Sequence, residues 1–403
     1  MQWQKNLYTL WMAQFVASLG LTLIAPFVPL YIGTLGVSRL DDVERWSGIL
    51  FAAPFLVQAF AQPLWGVLGD RYGRKMMVLR ALAGIGSTQV LSALVRSVGE
   101  LLALRLMQGG VAGFVSASNA LVSASIPRDR LGTAMGVLQT SLTAGGIIGP
   151  LVGGALADLV GFRYVFVITG ALCFAAAGVV LLGVHEPAGL RVAQIRPGVR
   201  ENFAYFLASP VLRTVALMLI TSQIAVWAIE PIFPLFVQSL GVPQGRVATV
   251  AGVLFSVTGI AAILGATLWG RACDRIGERR VLALVLWGSC VAYASQAVVH
   301  SPVTLFTVRA VLGLFVGGLM PPLYSIVARL TPPERLGGIM GVTSSAITVG
   351  ALLGPLLGGM LSALIGIRPV CIVAAASLAV AALGTRGLAP AGAGGAGLQQ
   401  DPE

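Results

Sequence analysis

Long apolar runs separated by short polar stretches repeat along almost the whole chain of 403 residues. A bilayer crossing needs about 20 predominantly apolar residues, so each run is long enough to span a membrane as a helix. The longest runs are expected to tilt in the bilayer. The pattern predicts twelve transmembrane helices, at 8–32, 47–69, 77–96, 100–123, 134–158, 162–183, 209–238, 247–270, 280–299, 303–328, 337–362 and 367–386.

The composition argues against a soluble or a disordered protein. Hydrophobic residues make up 57% of the chain and charged residues only 10%, whereas soluble domains carry about a quarter charged residues and disordered chains have low hydrophobicity. The four cysteines and two histidines stand singly in the sequence. We therefore predict no disulfide framework, no metal site and no cofactor.

The formal net charge of +11 is concentrated in alternate loops, such as the one that carries Arg71, Arg74 and Lys75. The intervening loops hold fewer basic residues. This asymmetry is typical of the positive-inside rule, which predicts that the basic loops and both termini are cytoplasmic. No basic stripe with interleaved aromatic residues is present, which argues against nucleic-acid binding.

The chain contains an internal duplication. The segment 25–37 (APFVPLYIGTLGV) matches 230–242 (EPIFPLFVQSLGV), and the loop GVLGDRYGRK at 66–75 returns as GRACDRIGERR at 270–280. Six helices per copy give both copies the same orientation, as in secondary transporters whose halves are related by an axis along the membrane normal. We predict an all-α membrane protein with two pseudo-symmetric six-helix bundles. The predicted divisions are a bundle at 1–184, a cytoplasmic linker at 185–208, a bundle at 209–388 and a disordered tail at 389–403.

Three motifs, in their expected order, resemble those of the major facilitator superfamily and, within it, the twelve-helix drug:proton antiporters. The loop signature is matched by Gly66, Leu68, Asp70, Arg71, Gly73, Arg74 and Lys75. The signature of the fourth helix is matched by Arg105, Gln108, Gly109 and Gly110. The antiporter signature of the fifth helix is matched by Gly145, Gly149, Pro150, Gly153 and Gly154. The opening WQKNLYTLW resembles the multidrug-efflux branch that includes bacterial fosmidomycin and deoxycholate exporters.

The resemblance implies that the loop at 66–75 is a gate. In the family its acidic residue, here Asp70, latches the halves in the outward-facing state against the eleventh helix. A carboxylate at a helix N-terminus gains about 0.3–1 kcal/mol. The alternative is that the basic residues only fix the topology. In the second copy Asp274 and Arg275 match the pattern, but Glu278 stands where a basic residue is usual.

A row of polar and small residues is expected on one face of the fourth helix, at Arg105, Gln108, Ala112, Ser116 and Asn119. An arginine within a membrane span faces protein or water and is a functional candidate. The resemblance implies a role for Arg105 in proton coupling, and the alternative is a structural arginine satisfied by backbone carbonyls. Arg309 repeats its position 204 residues later, without the adjacent glutamine.

Glu230 is the only acidic residue well inside an apolar run, and it shares a helix face with Gln223 and Trp227. Burial favours the protonated form of a carboxyl, and a nearby cation favours the charged form. Protonation of Glu230 is therefore expected to respond to a cationic cargo or to Arg105, which would make proton and cargo exclusive occupants of one site. The alternative is an acid at the outer mouth of the helix that is exposed to external water.

The glycine-rich stretches 145–154 and 350–359 are expected to pack against helices of the opposite half, with bends at Pro150 and Pro355. Candidates for lining an apolar cavity are the aromatic residues Phe15, Phe55, Trp227 and Tyr324, with Gln14 and Gln58. Core or lipid-facing positions would also fit the aromatic residues.

The sequence predicts a secondary active transporter that exports amphipathic drugs or similar small molecules by proton antiport with alternating access. Its expected partners are the lipid bilayer, protons and the cargo, and we expect a monomer in the bacterial inner membrane. The alternative is an exporter or importer of one metabolite, such as a sugar or an amino acid. A channel would need a polar pore lining and an enzyme a cluster of reactive groups, and neither is apparent in the sequence.

Overall fold

The computed structural model describes residues 2–125, 130–185, 199–332 and 335–388. The side chains at 2, 63, 66, 67, 70, 123–125, 131, 132 and 199 lie outside this description. Every regular element within the described ranges is helical. The predicted all-α class is therefore confirmed.

Eight helices in the first half of the chain build six long segments. Their bounds are α1 (Gln2–Ile24), α2 (Val28–Thr34), α3 (Leu40–Tyr72), α4 (Arg74–Ser92), α5 (Val98–Val111), α6 (Phe114–Ser125), α7 (Leu131–Val160) and α8 (Phe162–Gly183).

The second half repeats this order after one additional helix, α9 (Val199–Ala208). The bounds of the others are α10 (Pro210–Ile229), α11 (Phe233–Ser239), α12 (Val247–Ile276), α13 (Glu278–Ala297), α14 (Pro302–Val316), α15 (Met320–Arg329), α16 (Leu336–Ile365) and α17 (Ile367–Gly384). The predicted arrangement of two six-helix bundles is confirmed. The domain boundaries stay predictions, because residues 186–198 of the linker and the tail at 389–403 lie outside the described residues.

Four of the long segments are built from two helices each, which the apolar pattern did not predict. Short 3₁₀ turns at Ala25–Phe27 and Glu230–Ile232 separate α1 from α2 and α10 from α11. Each turn contains a proline, which removes a backbone donor and disfavours a continuous helix. Gly113, with φ at +116°, separates α5 from α6, and residues 317–319 separate α14 from α15.

Two tryptophans satisfy backbone groups that these interruptions leave without helical partners. The indole Nε1 of Trp65 donates to the carbonyl oxygen of Gly110 at 2.7 Å, and that of Trp269 donates to Leu314 at 3.0 Å. Both carbonyls belong to the last turn of a helix, where no intrahelical donor is available. Because lipid offers no hydrogen bonds either, such pairing is needed within a membrane.

The surface is that of a multi-pass membrane protein. Nine segments among the described residues are long and apolar enough to cross a bilayer, and α3, α4 and α13 complete the two sets of six. Large apolar side chains such as Phe60, Leu159, Leu182 and Val303 are more than 70% exposed. Their exposure is favourable against lipid tails and unfavourable against water.

The most extensive contacts between the two halves are made by two helix pairs, α3 with α16 and α7 with α12. We call the end where α3 meets α4 and α12 meets α13 the basic end, and the other end the opposite end. Gly48 lies against Pro355 and Gly359, and Gly252 lies against Pro150. All these positions lie toward the opposite end of their helices, so the halves are closed together there.

Candidate functional site

Three glycines of the fifth-helix signature pack within their own half. A Cβ atom at Gly145 would lie 2.7 Å from Ser18 of α1, and one at Gly153 would overlap the carbonyl oxygen of Leu23. Gly149 lies against the hydroxyl of Thr22 in the same way. The prediction that this whole stretch packs on the opposite half is therefore wrong for these three positions. Their spacing of four residues places them on one helix face, and that face meets α1.

Pro150 and Gly154 lie on a different face of α7 and do contact the other half. A Cβ atom at Gly154 would overlap the carbonyl oxygen of Ala248 in α12. The second copy is arranged in the same way, since Gly358 lies against Ala228 of its own half and Gly359 lies against Glu44 of the other. The glycine-rich motif thus joins helices within each half and the halves to each other.

Asp158 caps a helix of the opposite half. Its Oδ2 accepts hydrogen bonds from the backbone N and from the hydroxyl of Thr249, both at 2.7 Å. Thr249 is in the first turn of α12, where backbone N–H groups have no helical partner and the helix dipole favours a negative charge. Asp158 thus fastens the two halves together at the opposite end through these hydrogen bonds to α12.

A cleft of about 610 Å³ lies beside this contact at the opposite end. Residues from both halves line it, including Leu30, Val43, Asp158, Leu235 and Gln244.

We expect Asp158→Ala to shift the protein toward a state that is open at the opposite end, because a carboxylate that caps a helix N-terminus contributes about 1–2 kcal/mol. The shift is measurable as a longer distance between spin labels at Ser38 and Gln244, which line the cleft from the two halves, in a background without native cysteines. Asp158→Asn is the matched variant that keeps an acceptor oxygen, and its shift should be smaller. An unchanged distance distribution in Asp158→Ala would exclude the fastening role.

Arg105 is buried in α5 and lies next to a glutamine, as the fourth-helix motif predicts. Its Nη1 donates to Oε1 of Gln108 at 3.1 Å, whereas its Nη2 is buried with no hydrogen-bond partner among the described residues. Gly109 lies against Pro54 of α3. Arg105 is thus held in the first half, and the structure does not bring it to Glu230.

The continuous face predicted from Arg105 to Asn119 is wrong. The helix is interrupted at Ala112 and Gly113, so Ser116 and Asn119 belong to α6 and have a different orientation. Gln62 of α3 donates to the hydroxyl of Ser116 at 2.6 Å.

A cavity of about 230 Å³ lies in this part of the first half. Its lining is neutral and includes Ser18, Thr22, Gln58, Gln62 and Phe114.

Glu230 begins the 3₁₀ turn between α10 and α11. This turn packs against α16 of its own half and against α3 of the other. Gln223 and Trp227 precede it on the same side of α10, where they contact α16 at Gly350 and Gly354. The predicted grouping of Gln223, Trp227 and Glu230 is therefore present at the boundary between the halves.

Arg309, rather than Arg105, is the arginine near Glu230, since it lies over the ring of Phe233, three residues further along the chain. It is 2% exposed, and its guanidinium carbon lies 3.6 Å from the ring centre of Phe233 and 5.8 Å from that of Phe255. Such cation–π contacts stabilise an arginine that has left water. The buried Tyr293 lies near Arg309 and Glu230.

Arg309 and Glu230 interact without a salt bridge among the described residues. Two nitrogens of Arg309, Nε and Nη2, are buried without hydrogen-bond partners in the same part of the chain. The carboxyl of Glu230 is therefore not held in an ion pair with Arg309.

The loop of the first copy is held to its own half. Gly73 has φ at +96°, a conformation that favours glycine. Arg74 donates to the carbonyl oxygen of Ala120 at 2.9 Å and Lys75 to that of Leu181 at 2.7 Å. The side chains of Gly66 and Asp70 lie outside the described residues, so the latch predicted for Asp70 stays a prediction.

The loop of the second copy is anchored differently. Glu278 replaces the basic residue of the pattern, is buried, and accepts from Ser325 at 3.0 Å and from Arg329 at 2.8 Å. Asp274 and Arg275 are exposed in the last turn of α12. The departure at Glu278 thus creates an ion pair within the second half.

The family model of the Major Facilitator Superfamily matches residues 10–250 and again residues 245–395. The chain belongs to this superfamily of membrane transporters. It is 36% identical over 373 residues to the multidrug resistance protein MdtG of Yersinia enterocolitica, with 93% of this chain and 90% of the relative covered. The same protein of Serratia proteamaculans is 35% identical over 373 residues, with 93% and 91% covered.

Solved structures have the same fold. A bacterial homologue of the human lysosomal transporter Spinster, in an inward-facing and unoccupied conformation, has a TM-score of 0.80 and 18% identity, with 97% of this chain and 99% of that chain covered. The nucleoside transporter NupG has a TM-score of 0.76 and 14% identity, with 94% and 98% covered. The resemblance to the superfamily that the motifs predicted is confirmed.

Proposed function

We propose that this transporter exports amphipathic drugs or similar small molecules across a bacterial inner membrane in exchange for protons. The observation that carries the proposal is its 36% identity, over 93% of the chain, to a protein named for multidrug resistance. The uncharged lining of the first-half cavity supports it, because a site without a fixed charge does not select one charged cargo.

The positive-inside rule supports an orientation with both termini and the basic end in the cytoplasm. In this orientation the closed opposite end faces outward, so the conformation corresponds to the inward-facing stage of alternating access. The protein would work as a monomer, because each chain carries both halves of the fold.

The site residues support a proton-coupled cycle. Glu230 takes a proton when the opposite end is open and loses it toward the cytoplasm as cargo enters the cavity. Arg309, buried beside Phe233, would be the neighbouring cation of this site. Opening of the opposite end requires separation of Gly48 from Pro355 and of Asp158 from Thr249. Arg105, Gln108 and Asn119 would contribute polar groups from the first half.

Efflux of a fluorescent lipophilic cation tests this function in cells that express the chain, with and without a protonophore. We expect efflux above that of cells without the chain, and its loss when the protonophore collapses the proton gradient. Absence of efflux for a panel of such dyes, with folded and abundant protein in the membrane, would contradict multidrug export and favour a transporter of one metabolite.

A further inference from the structure

Along one face of α3, the surroundings change from the interface between the halves to the cavity of the first half. Glu44, Gly48, Phe55, Gln58 and Gln62 follow one another at helical spacing on this face. Gly48 contacts α16 of the other half and Glu44 lies beside Gly359, whereas Gln58 and Gln62 line the cavity of the first half. Phe55 therefore lies where the sealed interface ends and the cavity begins.

Phe55 meets Trp227 of α10 across the boundary between the halves. The ring centres are 5.4 Å apart with an angle of 69° between the planes, an edge-to-face arrangement that is favourable for aromatic pairs. Both side chains are half-buried. Trp227 packs closely against α16, because a Cβ atom at Gly354 would lie 2.8 Å from the Cβ of Trp227.

Glu230 lies just beyond this pair toward the opposite end. It follows Trp227 by three residues, a rise of about 4.5 Å along a helix, and its turn packs against both α3 and α16. Phe55 and Trp227 thus lie between Gln58, which lines the cavity, and Glu230.

We propose that Phe55 and Trp227 form a thin gate between the cargo cavity and Glu230, with Phe55 as a positioning residue for coupling. The proposal rests on the function given above, in which Glu230 carries the proton. While the rings are in contact, they close the route from the cavity to Glu230, so an empty transporter does not release its proton toward the basic end. Cargo that enters the cavity separates the rings and opens the path for proton release. Each released proton is then matched by a loaded cargo.

Accessibility at position 230 tests the gate without any transport assay. A Glu230→Cys variant is labelled with a membrane-impermeant maleimide in inside-out and in right-side-out vesicles, with the parent protein as the background for the native cysteines. In the vesicles where the reagent reaches the basic end, we expect Phe55→Ala to raise the labelling rate about two- to tenfold, the population change that loss of one aromatic pair produces. Phe55→Leu keeps most of the bulk and tests the same site if the alanine variant does not fold. Trp227→Phe keeps an aromatic ring and should leave labelling close to that of the parent. Equal labelling with and without the Phe55 ring would overturn the proposal.

Proton leak in proteoliposomes tests the consequence for coupling. Without cargo, we expect proton flux through Phe55→Ala to exceed that of the wild type about two- to tenfold, and Glu230→Gln in the same chain to abolish the increase. An increase that persists in the double variant, or no increase, would overturn the gate. If the wild type shows no cargo-dependent proton flux at all, the proposed function fails, while the labelling result still decides whether the two rings seal the path.

Discussion

Gly154→Val is expected to produce a folded protein that cannot close its opposite end. A side chain at this position overlaps the carbonyl oxygen of Ala248 in the other half, and such overpacking costs about 1–3 kcal/mol. Because only the closed state contains this contact, the cost shifts the population toward the open state by about 5- to 150-fold. Spin labels at Ser38 and Gln244 should report the longer distance, and efflux should be lost.

The adjacent glycine provides a matched control. Gly153 lies against Leu23 of its own half, so Gly153→Val strains the bundle in every state of the cycle. We expect a lower thermal stability of the purified protein and no shift in the label distance of the fraction that folds. Gly358 and Gly359 repeat this contrast in the second half. If both valine variants of a pair gave the same combination of stability and distance, the two roles of the motif would be refuted.

Glu230→Gln is expected to abolish proton-coupled efflux while leaving the binding of neutral cargo intact. Glutamine has nearly the same size as glutamate but does not titrate, so the site loses its proton carrier and keeps its packing. Efflux against a gradient should fall to the level of vesicles without protein, whereas exchange of cargo between equal pools should continue. Dye efflux and counterflow in proteoliposomes measure the two activities.

Glu201→Gln is the control for this substitution, because Glu201 is an exposed acid on α9. It should leave both activities unchanged. Wild-type efflux by Glu230→Gln would remove Glu230 from the coupling mechanism and leave the family assignment untouched.

The fold was predictable because the apolar runs and the duplication are features of the whole chain. Close packing at Gly145, Gly149 and Gly153 was also predictable, since three small residues at a spacing of four form a flat helix face. Their partner was not, because the sequence gives no indication of whether that face meets a helix of the same half or of the other. The contacts with Thr22 and Leu23 decide this question.

Some residues at the helix interruptions do disfavour a continuous helix, but the apolar pattern does not reveal them. Pro231 and Gly113 both disfavour a continuous helix, but hydropathy measures transfer to lipid and is insensitive to backbone continuity. Asp158 stands at the end of an apolar run, which is also where an ordinary loop residue would stand. Its role depends on the first turn of a helix about 90 residues later in the chain.

The partner of Glu230 could not be predicted for a related reason. Arg105 and Arg309 occupy equivalent positions in the duplication, so either arginine was a candidate. Only the packing within the second half, where Phe233 and Tyr293 surround Arg309, makes one of them the partner. The duplicated fold thus has an asymmetric charge distribution.

The cleft at the opposite end is a candidate binding site for inhibitors that do not compete with the cargo. Its walls come from both halves, so a molecule that fills it bridges them and stabilises only the conformation in which they are together. In the orientation proposed above, such a molecule would approach from outside the cell and would not have to cross the inner membrane. It would act as a noncompetitive blocker, because rising cargo concentrations in the cytoplasm would not displace it.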